Sequence, residues 1–196
     1  MKIKYWKKEI FTIPNLLSLF RLILVPIYIS IYIKAETPEQ YFIAAAILAV
    51  SCLTDLIDGK IARHFNMIST LGKILDPLAD KATQFALILC LAVRYPVLWY
   101  LLGLFVVKEL FQLLAGCFNL MKGRMLKGAL LSGKICTTIL FVSLIVMVMI
   151  PQIASEVVTI IALIDAAFLI IAFIDYIVAY LARKSLFQNV DNSANE

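Results

Sequence analysis

Six long runs of apolar residues dominate the chain, and they constrain its fold more than any other feature. Each is close to or above the roughly 20 residues that a helix needs to cross the hydrocarbon core of a bilayer. Short polar breaks separate the runs, so the helices are expected to pack as one bundle. The runs cover residues 12–33, 40–58, 69–93, 97–120, 130–150 and 156–181. The sequence therefore predicts an all-α integral membrane protein with a bundle of six transmembrane helices.

The composition excludes several other classes of protein. Of the 196 residues, 63% are hydrophobic and 16% are charged, whereas a soluble domain is about 45–50% apolar and about 25% charged. The core of a compact soluble domain does not bury so large a share of apolar residues, and disordered chains contain few apolar residues. The net charge of +5 is too thinly spread to follow a phosphate backbone, so no nucleic-acid partner is expected.

The basic residues predict the orientation in the membrane, because loops rich in Lys and Arg stay on the cytoplasmic side. Such residues precede the first run and follow the second, fourth and sixth runs, whereas the alternate loops hold only Lys34 and Arg94. We therefore expect a multi-pass protein of the cell (cytoplasmic) membrane with both termini cytoplasmic. Residues 1–11 are predicted to form a short interfacial helix, residues 12–184 the transmembrane catalytic domain and residues 185–196 a polar tail.

Four aspartates form the richest concentration of acids in or beside the apolar runs. Asp55 and Asp58 are three residues apart, and Asp76 and Asp80 are four apart, so each pair lies on one face of a helix. Charges at membrane depth are costly and by default mark a functional site. Oxygen ligands without His or Cys select hard cations, so Mg²⁺ or Mn²⁺, as one or two ions, fits this cluster at the cytoplasmic side.

A structural ion-pair network is the alternative interpretation of these acids. The nearby cations that would form it are Lys60, Arg63, Lys73 and Lys81. Two observations disfavour this interpretation. An ion-pair network does not require acids spaced three and four residues apart on two neighbouring helices, and buried ion pairs stabilise a protein only weakly. Gly59 and Gly72 accompany the acids and would let a ligand approach the backbone closely; Gly59 alone would also serve as the end of a helix.

The segment from Asp55 to Asp80 resembles the complete signature of the CDP-alcohol phosphatidyltransferase family. It reads Asp55-x2-Asp58-Gly59-x2-Ala62-Arg63-x8-Gly72-x3-Asp76-x3-Asp80. The resemblance implies a membrane-bound homodimeric enzyme that uses Mg²⁺ or Mn²⁺ to transfer a phosphatidyl group from CDP-diacylglycerol to an alcohol, with release of CMP.

The resemblance also implies the roles of the signature residues. Asp55, Asp58, Asp76 and Asp80 would hold metal, and Asp80 would in addition be the catalytic base for the acceptor hydroxyl. The donor nucleotide would lie against a set formed by three of the aspartates and the remaining signature positions: Asp55, Asp58, Gly59, Ala62, Arg63, Gly72 and Asp76. Arg63 suits a bidentate phosphate contact.

The acceptor alcohol is predicted from cations elsewhere in the runs. The segment from Thr12 to Arg21 resembles the first helix of the branch that uses glycerol 3-phosphate, and a phosphorylated acceptor needs cationic partners. The candidates for binding its phosphate are Arg21, Lys108, Lys127 and Lys134. Two alternatives remain, namely phosphatidylglycerol as acceptor and, outside the enzymes, a transporter that binds a divalent cation. Asp165 and Asp175 in the sixth run would be either partners for these cations or polar groups that pack helices together.

Overall fold

Six helices and one pair of short strands make up the part of the chain that the computed structural model describes. The backbone is described for residues 13–64, 72–122, 124–126, 130–150, 152–181 and 187–189. Within these ranges the side chains are described from Asn15 onward, except those of residues 52–53, 55–64 and 72–74 and of the two strands. The elements are α1 (Ile13–Ile33), α2 (Pro38–His64), α3 (Gly72–Arg94), α4 (Leu98–Met121), β1 (Arg124–Leu126), α5 (Leu131–Met149), α6 (Ser155–Leu181) and β2 (Phe187–Asn189).

Each predicted apolar run corresponds to one helix, so the prediction of a helical membrane protein is confirmed. Four of the described helices, α1, α4, α5 and α6, are long and apolar enough to cross a bilayer. The other two, α2 and α3, carry the signature aspartates, and these charges lower their hydropathy. Whether α2 and α3 cross the membrane therefore stays a prediction. The predicted interfacial helix over residues 1–11 lies outside the described residues.

One boundary prediction was wrong. The second predicted run ends at residue 58 with Gly59 as a candidate helix end, but α2 continues through Gly59 to His64. A glycine within a helix costs only about 1 kcal/mol relative to alanine, and the residues after it include good helix formers. The first half of the signature, from Asp55 to Arg63, is therefore helical throughout.

The chain divides into two compact units. The first comprises Met1–Arg94 with Met147–Gln152, and the second comprises Tyr95–Val146 with Ile153–Glu196. In the first unit α1 packs against both α2 and α3, and its apolar core includes Leu48, Leu87 and Leu91. Helix α1 thus lies against both helices that carry the signature.

In the second unit α4 packs against α6, and β1 pairs with β2 in antiparallel register. Side-chain hydrogen bonds join α5 to α6: the hydroxyl of Ser132 donates to Asp175 at 2.6 Å, and that of Ser143 donates to Asp165 at 2.5 Å. The two strands are an addition to the all-helical prediction. They place residues 187–189, within the predicted polar tail, beside the segment that follows α4.

Candidate active site

Helix α1 presents a polar stripe in an otherwise apolar sequence. Asn15, Ser18 and Arg21 recur every three residues, and all three side chains are buried. Three-residue spacing keeps them near one face of the helix. A buried guanidinium is costly in an apolar environment unless it has an anionic partner, so this stripe requires acids nearby.

The carboxylates of α3 meet that stripe. The Ser18 hydroxyl donates a hydrogen bond to Oδ1 of Asp76, and Nη1 of Arg21 donates to Oδ1 of Asp80. The Arg21 side chain is 3% exposed, whereas that of Asp80 is 49% exposed. Asp80 is thus held by a buried cation while about half of its surface stays open to a ligand.

The structure brings together some of the predicted site residues. Asp76 and Asp80 lie one helical turn apart on α3 and face α1, as their spacing predicted. Arg21, predicted to bind the acceptor phosphate, contacts Asp80. Ser18 was not predicted at all; the signal that would have found it is its three-residue spacing from Asn15 and from Arg21.

Other predicted residues are only partly described. The backbone places Asp55, Asp58, Gly59, Ala62 and Arg63 in the last three turns of α2 and Gly72 at the first residue of α3. Their side chains, and the whole of Lys127, lie outside the described residues. The assigned roles of these residues therefore stay predictions.

The described carboxylates fit a hard divalent cation. Asp76 and Asp80 offer oxygen donors from adjacent turns, and oxygen-only ligands suit Mg²⁺ or Mn²⁺. Among the described side chains no three His, Cys, Asp or Glu residues are grouped closely enough to hold a metal. The side chains of Asp55 and Asp58 are not among those described. The site of four carboxylates stays a prediction.

The second unit contains a buried cation on α4. Nζ of Lys108 lies 2.7 Å from Oε1 of Glu109 and 5.8 Å from the centre of the Tyr176 ring. Lys108 is 1% exposed, so it does not extend to the membrane surface as a snorkelling lysine would. Lys134 on α5, in contrast, is exposed.

The two aspartates of α6 have serine partners on α5. Asp165 accepts its hydrogen bond from Ser143, and Asp175 accepts one from Ser132. Polar contacts of this kind join helices within a membrane and contribute about 0.6 kcal/mol on average. The structure therefore gives both aspartates a helix-packing role, which is one of the two roles expected from the sequence.

Gly133, in the first turn of α5, lies directly against Tyr176. A Cβ atom at this position would lie 2.6 Å from Oη and 2.8 Å from Cε2 of Tyr176. The absence of a side chain at Gly133 therefore lets the tyrosine ring occupy its place beside Lys108.

Substitution of this glycine tests the contact. We expect Gly133→Ala to lower the free energy of unfolding by about 1–3 kcal/mol, because an added methyl group overpacks the contact with Tyr176. Thermal unfolding of the purified protein in detergent measures the loss. Gly103→Ala is the matched control, since no described atom lies within 4 Å of a Cβ built there. Equal stability of the two variants would contradict the close contact.

The fold and the site define a class: a multi-pass helical membrane protein in which a buried arginine contacts the last aspartate of the signature. The family model for CDP-alcohol phosphatidyltransferase matches residues 11–174. This match spans most of the chain, including α1 and the whole signature. The chain belongs to the CDP-alcohol phosphatidyltransferase family, as the signature predicted.

Curated relatives match over shorter segments. A cardiolipin synthase (CMP-forming) of Streptomyces coelicolor is 43% identical over 75 residues, which are 37% of this chain and 35% of the relative. A CDP-diacylglycerol–glycerol-3-phosphate 3-phosphatidyltransferase of Escherichia coli K12 is 44% identical over 71 residues, 36% of this chain and 38% of the relative. A cardiolipin synthase/mitochondrial hydrolase fusion protein of Schizosaccharomyces pombe is 44% identical over 88 residues, 45% of this chain and 14% of the relative. The matches thus span well under half of each relative.

Proposed function

We propose that this protein transfers a phosphatidyl group from CDP-diacylglycerol to glycerol 3-phosphate, giving phosphatidylglycerophosphate and CMP. The observation that carries the proposal is the contact between the polar stripe of α1 and the carboxylates of α3, because it fixes Asp76 and Asp80 beside a buried cation. Membership of the family supports the reaction type. The names of the relatives support both this acceptor and a second one.

In this proposal the chain's own residues position the reactants and move one proton. Asp80 accepts the proton of the acceptor hydroxyl, whose oxygen forms a bond to the phosphorus of the phosphatidyl group while the bond from that phosphorus to CMP breaks. Arg21 holds the Asp80 carboxylate through Oδ1, and Ser18 holds that of Asp76. Asp55, Asp58, Asp76 and Asp80 would hold Mg²⁺ or Mn²⁺, which when bound neutralises and polarises phosphoryl oxygens.

The charge of the acceptor favours glycerol 3-phosphate. Its phosphate carries up to two negative charges, and the buried Lys108 and the exposed Lys134 are the cationic partners proposed for it. Phosphatidylglycerol is the second candidate, since relatives named cardiolipin synthase match as closely as the glycerol-3-phosphate enzyme does. Its phosphodiester carries a single negative charge and therefore needs fewer cationic partners.

An acceptor panel separates the two candidates. Purified protein is incubated with CDP-diacylglycerol, Mg²⁺ or Mn²⁺ and either glycerol 3-phosphate or phosphatidylglycerol, and the lipid product is identified by mass spectrometry. We expect phosphatidylglycerophosphate with the first acceptor and no cardiolipin with the second. Cardiolipin as the sole product would reject glycerol 3-phosphate in favour of the second candidate.

Lys108 provides a test of the acceptor-phosphate site. We expect Lys108→Ala to raise the KM for glycerol 3-phosphate by about 10-fold or more, because a charged hydrogen bond contributes about 1.5–3 kcal/mol, while the KM for CDP-diacylglycerol changes less than about 2-fold. Steady-state kinetics with each substrate varied in turn measure both constants.

Lys122→Ala is the matched control, because Lys122 is an exposed cation that directly follows the same helix and lies over the Phe118 ring. It should leave both constants unchanged. An unchanged KM for glycerol 3-phosphate in Lys108→Ala would remove Lys108 from the acceptor site and leave it with a packing role beside Tyr176.

The orientation and assembly belong to the same proposal. The distribution of basic residues supports cytoplasmic termini and an active site at the cytoplasmic side of the cell membrane. The family resemblance supports a homodimer. Labelling of single cysteines introduced near each terminus in sealed vesicles tests the orientation, and light scattering of the purified protein tests the dimer.

A further inference from the structure

A small cavity lies among the three helices of the first unit. It is lined by apolar side chains of α1, α2 and α3 together with three hydroxyl-bearing residues, Tyr28, Ser51 and Thr83. Tyr28 follows Arg21 by seven residues, so it lies about 10 Å further along α1. Thr83 follows Asp80 by three residues, and Ser51 precedes Asp55 by four. The cavity therefore lies on the same faces of these helices as the site residues, one to two turns further along each helix.

Two of the three hydroxyls present an energetic problem. Tyr28 is 4% exposed and Ser51 is 3% exposed, and neither Oη of Tyr28 nor Oγ of Ser51 has a hydrogen-bond partner among the described residues. A buried polar group without a partner is destabilising, and in a membrane-embedded bundle no bulk solvent compensates it. Both groups line the same cavity, so one bound molecule would satisfy both.

The third hydroxyl defines what that molecule must offer. Thr83 uses its proton in a 2.9 Å hydrogen bond to the carbonyl of Ala79, so its Oγ1 is left to accept. Tyr28 prefers to donate, and Ser51 can do either. The occupant must therefore both accept and donate within a space that holds about one water molecule. An ester carbonyl of a lipid accepts but does not donate, and an acyl chain does neither.

We propose that this cavity binds one ordered water molecule that bridges the hydroxyls of Tyr28, Ser51 and Thr83. Three hydrogen bonds are typical of a buried water. The water joins α1, α2 and α3, the helices that carry Arg21 and the signature aspartates, and so fixes their relative register. This inference concerns the folded protein and does not depend on the identity of the acceptor or on the proposed reaction.

A double-mutant cycle tests whether the water is bound. Loss of a bound water lowers Tm, whereas removal of an unsatisfied hydroxyl from a dry cavity does not. Tyr28→Phe, Ser51→Ala and the double variant are purified in detergent without lipid substrate, and their thermal unfolding is compared with that of the original protein. We expect each single variant to lower Tm by about 2–4 °C, and the double variant to lie within about 1 °C of the singles, because the same water is lost once. Tyr100→Phe and Ser30→Ala, which remove exposed hydroxyls, are the matched controls and should shift Tm by less than about 1 °C.

Several outcomes would overturn the proposal. An increase in Tm, or no change, in the single variants would mean that the cavity is dry, because removing an unsatisfied hydroxyl then relieves a cost. Additive losses would mean that the two hydroxyls have separate partners. Losses that appear only after addition of CDP-diacylglycerol would mean that a lipid group occupies the cavity.

Radiolytic labelling gives a second readout that does not require any variant. Hydroxyl radicals formed from a bound water modify the side chains around it even where bulk solvent is excluded. We expect at least about 5-fold faster modification of Tyr28 than of Tyr32, which is equally buried at 4% but does not line the cavity. Equal rates at the two tyrosines would contradict the bound water.

Discussion

Asp80→Asn is expected to abolish CMP release, with a loss in kcat of about 10²–10⁴-fold. The proposed role of Asp80 is to take the proton of the acceptor hydroxyl, and a positioned base typically contributes a factor of this size. Asparagine preserves the shape of the side chain and can still accept the hydrogen bond from Arg21, but it does not accept a proton. CMP release from CDP-diacylglycerol with saturating glycerol 3-phosphate measures the loss.

The control for this variant is a similar neutralisation at an acid outside the site. Glu156→Gln changes an exposed carboxylate in the first turn of α6 and should leave kcat within about 2-fold of the original value. Gel filtration and thermal unfolding show whether each variant is folded. Turnover close to normal in folded Asp80→Asn would remove Asp80 as the base, whatever its contact with Arg21.

Arg21→Ala is expected to lower kcat by about 100-fold or more, while the KM for glycerol 3-phosphate changes less than about 3-fold. The reason is its hydrogen bond to Asp80: without the guanidinium, the base is no longer held in one position, and misplacement of about 1 Å can cost 10²-fold in rate. Steady-state kinetics that separate kcat from KM measure this effect.

Arg21→Lys is the matched variant, because it keeps the charge but loses the rigid fork of the guanidinium. We expect it to recover part of the rate, with kcat about 10-fold below the original. The opposite pattern, in which the KM for glycerol 3-phosphate rises in both variants while kcat is maintained, would instead support the sequence-based prediction that Arg21 binds the acceptor phosphate.

The helices could be predicted from the sequence because the membrane constrains them strongly. A run of about 20 apolar residues has few alternatives to a spanning helix, and α1, α4, α5 and α6 follow their predicted runs closely. The end of α2 could not be predicted in the same way. The apolar run ends at the charges around Asp58. The helix continues through Gly59 to His64, because backbone hydrogen bonds do not depend on hydropathy.

The pairing of β1 with β2 is also beyond local sequence patterns. Each strand has three residues, too few for an alternating pattern to be recognised, and more than 60 positions separate Leu126 from Phe187 along the chain. Only the tertiary arrangement of the second unit brings them together.

The candidate site was predictable where its residues follow helical spacing. The four-residue interval between Asp76 and Asp80 correctly placed both on one face of α3. The contact of Ser18 with Asp76, and the fit of Gly133 against Tyr176, depend on which helix faces lie together. The periodicity of a single helix does not show which face of a neighbouring helix packs against it, so neither contact could be predicted.

Metal-dependent release of CMP is the most direct test of the proposed phosphatidyl transfer at the aspartates of α2 and α3. Purified protein is given CDP-diacylglycerol and glycerol 3-phosphate, with Mg²⁺ or Mn²⁺ in one arm and EDTA in the other. We expect one CMP for each phosphatidylglycerophosphate formed with metal, and no CMP with EDTA. Absence of CMP with every alcohol offered, together with uptake of the divalent cation by vesicles that contain the protein, would contradict the account and support a transporter.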